Sequence, residues 1–143
     1  MSEQENIKLS HAFFEAWNNG RLEEDDGNAA EDFVAQGPGA PGEMNTDQNR
    51  AYSQNFMNAF PGSKFEILRT IADGNYVVNN WRATGQHTGP LMTPSGGAIP
   101  PTGKPVTLYG STTTEVKNGK ITRSWNYWDM TSLLMQIGLM PPM

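Results

Sequence analysis

A short segment near the end of the 143-residue chain combines aromatic rings, an amide and a carboxylate, in the order Trp125-Asn126-Tyr127-Trp128-Asp129. Small-molecule pockets are built from an apolar lining with a few oriented polar groups, and this segment supplies both kinds. In a pocket, Asp129 could act as a general acid or base on a bound molecule. The alternative is structural, because an aspartate just before Met130 to Ile137 would also cap a helix.

The chain has two histidines, His11 and His87, and a histidine can exchange a proton near neutral pH. His87 stands where a predicted strand enters a Gly- and Pro-rich loop, so it is either an acid–base residue or a tie for loop backbone. His11 falls on the apolar stripe of a predicted helix, which favours a satisfied core histidine over a catalytic one.

Neither a metal site nor a cofactor site is indicated by the sequence. Cysteine is absent, and the histidines and carboxylates do not fall at metal-ligand spacing. The stretch Gly97 to Lys104 lacks phosphate-loop spacing, and Pro105 stands where a phosphate loop has Ser or Thr. We therefore expect no cofactor and no metal.

The elements that must position these residues follow from the hydrophobic periodicity. Helical spacing predicts a helix over Ile7 to Asn18, a short one around Ala29 to Val34, and a third from about Thr46 to Phe60. The period then changes to two, which predicts two hairpins with turns at Asp73-Gly74-Asn75 and Lys117-Asn118-Gly119. The four strands are Phe65 to Ala72, Tyr76 to His87, Val106 to Val116 and Lys120 to Trp128, followed by a short apolar helix.

This order predicts an α+β fold in which helices pack on one face of a curled antiparallel sheet. The absence of repeats and long linkers predicts a single domain over residues 1–143.

Charge and composition exclude several classes of partner. The net charge of −5 and the scattered basic residues disfavour nucleic acid. No apolar run is long enough to cross a bilayer, and the acidic first residues are wrong for a secretory signal. We expect a soluble cytoplasmic protein that binds neither membrane nor nucleic acid.

Taken together, segments along nearly the whole chain resemble the nuclear-transport-factor-2-like cone fold and, within it, the SnoaL-like polyketide cyclase (ester cyclase) family. These segments are Phe14 to Gly20, Ala59 to Gly62, Trp81 to Gly89, Pro100 to Lys104, and Gly119 to Gly138. The resemblance implies a cup, formed by the sheet and closed by the helices, for an aromatic or polycyclic ligand. Characterised cyclases of this family close a polyketide ester by an intramolecular aldol reaction, without metal or cofactor.

The resemblance also assigns positions in the site. Asn126 stands where the family has its acid–base aspartate, and Thr112 matches the position of the assisting histidine. Neither an amide nor a threonine hydroxyl accepts a proton near neutral pH, so this chain departs from the family's chemistry. Gln36 matches a polar position that reaches the ligand in the family.

Aromatic side chains are expected to line the cup. The candidates are Trp17 on the first helix and Trp81, Trp125 and Trp128 on the strands. Alternation along the last strand puts Trp125 and Tyr127 on one face and Trp128 on the other, and either set could face the cup.

Three hypotheses remain open at this point. The first is a cofactor-free cyclase-, isomerase- or hydratase-like enzyme with Asp129 or His87 as the titrating group, oriented by Asn126. The second is a non-catalytic protein that binds a small apolar molecule. The third is an interaction module that forms a homodimer through the open sheet face, as this fold often does.

Overall fold

The computed structural model describes residues 2–140. Helix α1 (Glu3–Asn18) begins with a capping box in which Ser2 and Glu5 bond each other's backbone N–H groups. A 3₁₀ turn (Leu22–Asp25) leads to strand β1 (Ala29–Gln36) and then to helix α2 (Thr46–Ala59). The remaining elements are β2 (Lys64–Asp73), β3 (Tyr76–Gln86), β4 (Leu91–Met92), β5 (Ala98–Ile99), β6 (Pro105–Lys117), β7 (Lys120–Trp128) and α3 (Met130–Gln136).

The main sheet has five strands in the order β1-β7-β6-β3-β2. Strands β2 to β3 and β6 to β7 form the two predicted hairpins, and β3 pairs with β6. In the second turn both Asn118 and Gly119 have positive φ, as the favoured two-residue hairpin turn requires. The α+β prediction and both hairpins are confirmed.

Strand β1 corrects two predictions. The sequence from Ala29 to Val34 was expected to be helical, but it is extended and pairs with β7. Because that pairing is parallel, the sheet is mixed rather than purely antiparallel. Alanine and glutamate favour helix locally, yet Phe33 and Ala35 are buried at the period-two spacing of a strand.

Helices α1 and α2 cover one face of the sheet. The rings of Phe14 and Trp17 on α1 each lie 5.2 Å, centroid to centroid, from Phe65 on β2. A second core joins the end of α2 to α3 and β6 through Ala59, Phe60, Val106, Leu133 and Ile137. The Gly- and Pro-rich loop between β3 and β6 contains the small β4–β5 hairpin. The helices and the curled sheet thus enclose a space between them.

Candidate functional site

A cavity of about 250 Å³ lies between the sheet and the two long helices. Its lining is mostly apolar and strongly aromatic. The rings come from α1, α2 and four strands: Phe13, Phe14, Trp17, Phe33, Tyr52, Phe56, Phe60, Phe65, Trp81 and Trp128. Such a lining stabilises a bound apolar molecule through buried area and ring contacts.

The floor of the cavity depends on a glycine between two tryptophans. Gly110 on β6 is directly opposite Trp81 on β3 and Trp128 on β7. A Cβ atom at Gly110 would lie 2.3 Å from the Trp81 ring. The missing side chain therefore leaves room for the Trp81 indole over Gly110 on the cavity face.

A chain of hydrogen bonds crosses four adjacent strands next to these rings. Trp81 Nε1 donates to Thr112 Oγ1 at 3.0 Å, and Thr112 Oγ1 donates to Asn126 Oδ1 at 2.8 Å. Asn126 Nδ2 in turn donates to the backbone carbonyl of Gln36 at 3.0 Å. These bonds fix the orientation of the Asn126 amide, with its oxygen toward β6 and its nitrogen toward β1.

Of the residues that the sequence singled out, Trp17, Trp81, Trp128, Thr112 and Asn126 all line this cavity. The structure thus brings them together, and their role in ligand binding stays a prediction. Trp17 is further held by its indole N–H, which donates to Ser63 Oγ at 3.0 Å.

Trp125 and Gln36 do not line the cavity. Trp125 is on the opposite face of the sheet, where its ring centroid is 6.4 Å from that of Tyr76. The exposed side chain of Gln36 bonds to Glu43 Oε2 at 3.3 Å, and only its backbone carbonyl joins the hydrogen-bond chain. The strand's alternation separates Trp125 from Asn126 and Trp128.

Asp129 caps a helix. Its Oδ1 accepts from the backbone N–H of Ser132 at 3.1 Å, at the start of α3. The side chain does not line the cavity, and the helix-cap interpretation is confirmed.

His87 is fully buried and also outside the cavity lining. Its Nδ1 is 3.0 Å from Thr102 Oγ1, and its backbone N–H donates to the Lys104 carbonyl at 2.9 Å. Burial lowers the pKa of the imidazole, which favours the neutral ring. His87 ties the β3–β6 loop to the end of β3, the structural alternative that the sequence left open.

His11 also has structural contacts. Its Nε2 lies 3.0 Å from both Thr70 Oγ1 and Asn79 Oδ1, which joins α1 to the sheet. The expected hydrogen-bonded histidine is confirmed, but the side chain is half-buried and does not belong to the core.

The cavity has a polar end that the sequence motifs did not predict. Asp25 and Asp26 at the 3₁₀ turn and Asn49, Arg50 and Ser53 on α2 all contribute to the lining. Burial raises the pKa of the Asp25 carboxyl above its usual value. In the sequence, the signal for this polar end is the spacing of Asn49, Arg50 and Ser53, which places them on one face of helix α2.

The two polar regions of the cavity are separated along β7. The Ile121 N–H donates to the Asn28 carbonyl, beside the 3₁₀ turn, whereas Asn126 marks the other region. Asn126 is five positions after Ile121 on the strand, which corresponds to about 16 Å. Ser124 lines the cavity between these two positions, so the lining carries polar groups along β7 as well as aromatic rings.

Two further properties concern the residues that the structure describes. Among residues 2–140, no helix combines the length and apolar character needed to cross a bilayer. Over the same range, no three His, Cys, Asp or Glu side chains group as metal ligands would.

A cone-like curled sheet, closed by helices over an internal cavity, defines the nuclear-transport-factor-2-like class of α+β proteins. The model of the SnoaL-like polyketide cyclase family matches residues 7–137, and the chain belongs to this family. None of the curated proteins matches the sequence.

Solved structures show the same fold at low sequence identity. AclR from Streptomyces galilaeus, a proposed hydroxylase, superposes with a TM-score of 0.85 at 23% identity, covering 99% of this chain and 89% of its own. A proposed SnoaL-like polyketide cyclase from Jannaschia sp. CCS1 gives 0.81 at 19%, covering 98% and 95%. An epoxide hydrolase from M. tuberculosis gives 0.67 at 21%, covering 94% and 90%.

Proposed function

We propose that this protein binds a small, largely apolar molecule, cyclic or polyketide-like, in the aromatic cavity. The observation that carries the proposal is the cavity itself, with its continuous aromatic lining from α1, α2 and the sheet. The polyketide-like class is supported by the family to which the chain belongs. The named activities of the structural neighbours differ, so the fold does not choose a reaction.

The family's own acid–base step has no counterpart at Asn126. The Asn126 amide neither takes up nor releases a proton near neutral pH. Its hydrogen bonds to Thr112 and to the Gln36 carbonyl hold it in place. Asp129 and His87, the two titratable candidates from the sequence, have structural contacts elsewhere. Binding is therefore the function that the geometry supports best, and Asn126 serves to position groups at the cavity floor.

A fluorescence titration with 1-aminoanthracene, a neutral aromatic probe, tests the binding proposal. We expect saturable binding that a cavity-filling substitution, Ala83→Phe, weakens at least tenfold, or about 1.4 kcal/mol. Ala83 lines the cavity, whereas Ala51 is exposed on α2, so Ala51→Phe is the matched control. Equal affinity in both variants, with both folded by circular dichroism, would contradict the proposal.

We propose in addition that the uncovered face of the sheet forms a homodimer. Tyr109 and Tyr127 are more than half exposed there, at 62% and 61%, on neighbouring strands. Exposed aromatic rings grouped on one face are typical of protein interfaces. The cysteine-free, acidic composition supports a cytoplasmic location and argues against a nucleic-acid partner.

A further inference from the structure

Asp25 places a carboxyl group at the polar end of the cavity. It ends the 3₁₀ turn, whose first residue, Leu22, is buried and also lines the cavity. Asn28 Nδ2 donates to Asp25 Oδ1 at 2.7 Å. Among residues 2–140 this is the only hydrogen bond to the carboxyl, so one oxygen is oriented and the other has no hydrogen-bond partner there.

The turn that carries Asp25 is attached to helix α2. Arg50 donates to the Leu22 carbonyl at 3.1 Å and also bonds to the Asp26 carboxylate. Lys120 on β7 bonds to the carbonyl of Gly27. These contacts from α2 and β7 hold the turn against the cavity, which general acid–base catalysis requires of a proton-transferring group.

The charges around Asp25 set its protonation. Desolvation by burial raises the pKa of its carboxyl, and the negative charge of Asp26 acts in the same direction. The bond from Asn28 and the positive charge of Arg50 lower it. Because burial has the largest effect, the carboxyl is a stronger base than a solvated aspartate.

The other acidic groups of the lining are less suited to proton transfer. Asp26 is paired with Arg50, and its side chain is 61% exposed. Tyr52 donates its hydroxyl hydrogen to the Pro38 carbonyl at 2.7 Å, and burial raises its pKa far above neutrality. Asp25 alone among these three groups combines partial burial with an unbonded oxygen.

We propose that Asp25 is the proton-transfer residue of this cavity, acting on a carbon acid whose C–H lies beside a carbonyl or similar group. This inference rests on the proposed binding function. The carboxylate takes the proton and becomes a carboxylic acid, while the electron pair of the C–H bond moves into the ligand as an enolate. The acid then returns the proton to the ligand. Asn49 and Arg50 line the same cavity and offer N–H donors for the negative charge.

Kemp elimination of 5-nitrobenzisoxazole tests this proposal without the natural ligand. A carboxylate base removes the ring C–H proton, that electron pair forms the nitrile, the N–O bond breaks, and the oxygen leaves as a coloured phenolate. We expect a rate above that of buffer, and we expect Asp25→Asn to lower it by about a hundredfold or more. The amide keeps an oxygen to accept from Asn28 and has the same shape, so the turn should remain intact.

A pH profile separates a catalytic role from a structural one. The rate should rise with pH as Asp25 loses its proton, with a midpoint above the ordinary aspartate value of about 3.9. Because the Asn28 bond lowers the pKa of Asp25, Asn28→Ala should move that midpoint upward. A change in folding alone would not move it in this direction.

The matched control is Asp32→Asn. Asp32 is an exposed carboxylate on β1 outside the cavity, so this substitution should leave the rate unchanged. Displacement of 1-aminoanthracene by 5-nitrobenzisoxazole reports binding separately in each variant. If the probe binds but the rate does not depend on Asp25, this proposal is overturned and the binding function stands. If neither probe binds, the proposed function fails, and this proposal fails with it.

Discussion

Asn126 stands at a position where the resemblance to the family implies an acid–base aspartate. Its amide can donate and accept hydrogen bonds at once, whereas a carboxylate in the same place could only accept. The structure uses both abilities, because Asn126 accepts from Thr112 and donates to the carbonyl of Gln36. Asn126 thereby links β6, β7 and β1.

A substitution at Thr112 tests the importance of that linkage. Thr112→Val keeps the shape but leaves the buried Trp81 N–H without its acceptor, which should lower the free energy of unfolding by about 1–3 kcal/mol. Thr113→Val changes the same atoms on the opposite face of the strand and should stay within about 0.5 kcal/mol of wild type. Urea denaturation measures both, and equal losses would show that the hydrogen-bond chain contributes nothing.

His87 predicts a pH dependence of stability. Its pKa is lowered in the folded protein, so below the unfolded value of about 6.5 the unfolded state binds a proton that the folded state does not. The free energy of unfolding should therefore fall as pH decreases from about 7.5 to 5.5. His87→Gln should flatten this dependence, and parallel curves for the two proteins would contradict it.

At the scale of elements, the packing of β6 between β3 and β7 depends on Gly110. Directly opposed residues share a face of the sheet, so Trp81, Gly110 and Trp128 form one row on the cavity side. A side chain in the middle of that row would push the indole of Trp81 aside.

Gly110→Ala should therefore destabilise the protein by about 1–3 kcal/mol, as overpacking does. It should also change the tryptophan emission spectrum, because Trp81 would leave its bond to Thr112. Gly42→Ala is the matched control, since a Cβ there meets nothing within 4 Å. An unchanged emission spectrum and melting temperature in Gly110→Ala would contradict the packing argument.

At the scale of the whole molecule, the two faces of the sheet differ in their exposure to solvent. One face is covered by α1 and α2, whereas the other exposes Tyr76, Tyr109 and Tyr127 to solvent. A second copy of the chain on this face would bury these rings.

Tyr127→Lys should convert the expected dimer into a monomer, because a buried unpaired charge is costly at an interface. Native mass spectrometry measures the change directly. Met92→Lys is the matched control, as Met92 is 50% exposed on the small β4–β5 hairpin and not on this face. A wild-type monomer, or a dimer that survives Tyr127→Lys, would contradict the proposed interface.

Much of the fold was determined by the sequence alone. Helices α1 and α2, both hairpins and the cap at Asp129 follow from local signals: periodicity, glycine-containing turns and capping residues act within a few positions. The family could be predicted as well, since its matching segments are spread along the chain. The alternation of β7 correctly separated Trp125 from Trp128.

Tertiary structure decided what depends on contacts distant in sequence. Strand β1 reads locally as helix, and only its parallel pairing with β7 makes it a strand. The partners of Asn126 lie on β1 and β6, and the burial of Asp25 arises where the 3₁₀ turn meets α2 and the sheet. Desolvation and hydrogen-bond satisfaction are properties of an assembled site, so the carboxyl suited to proton transfer could not be told from its acidic neighbours by residue type.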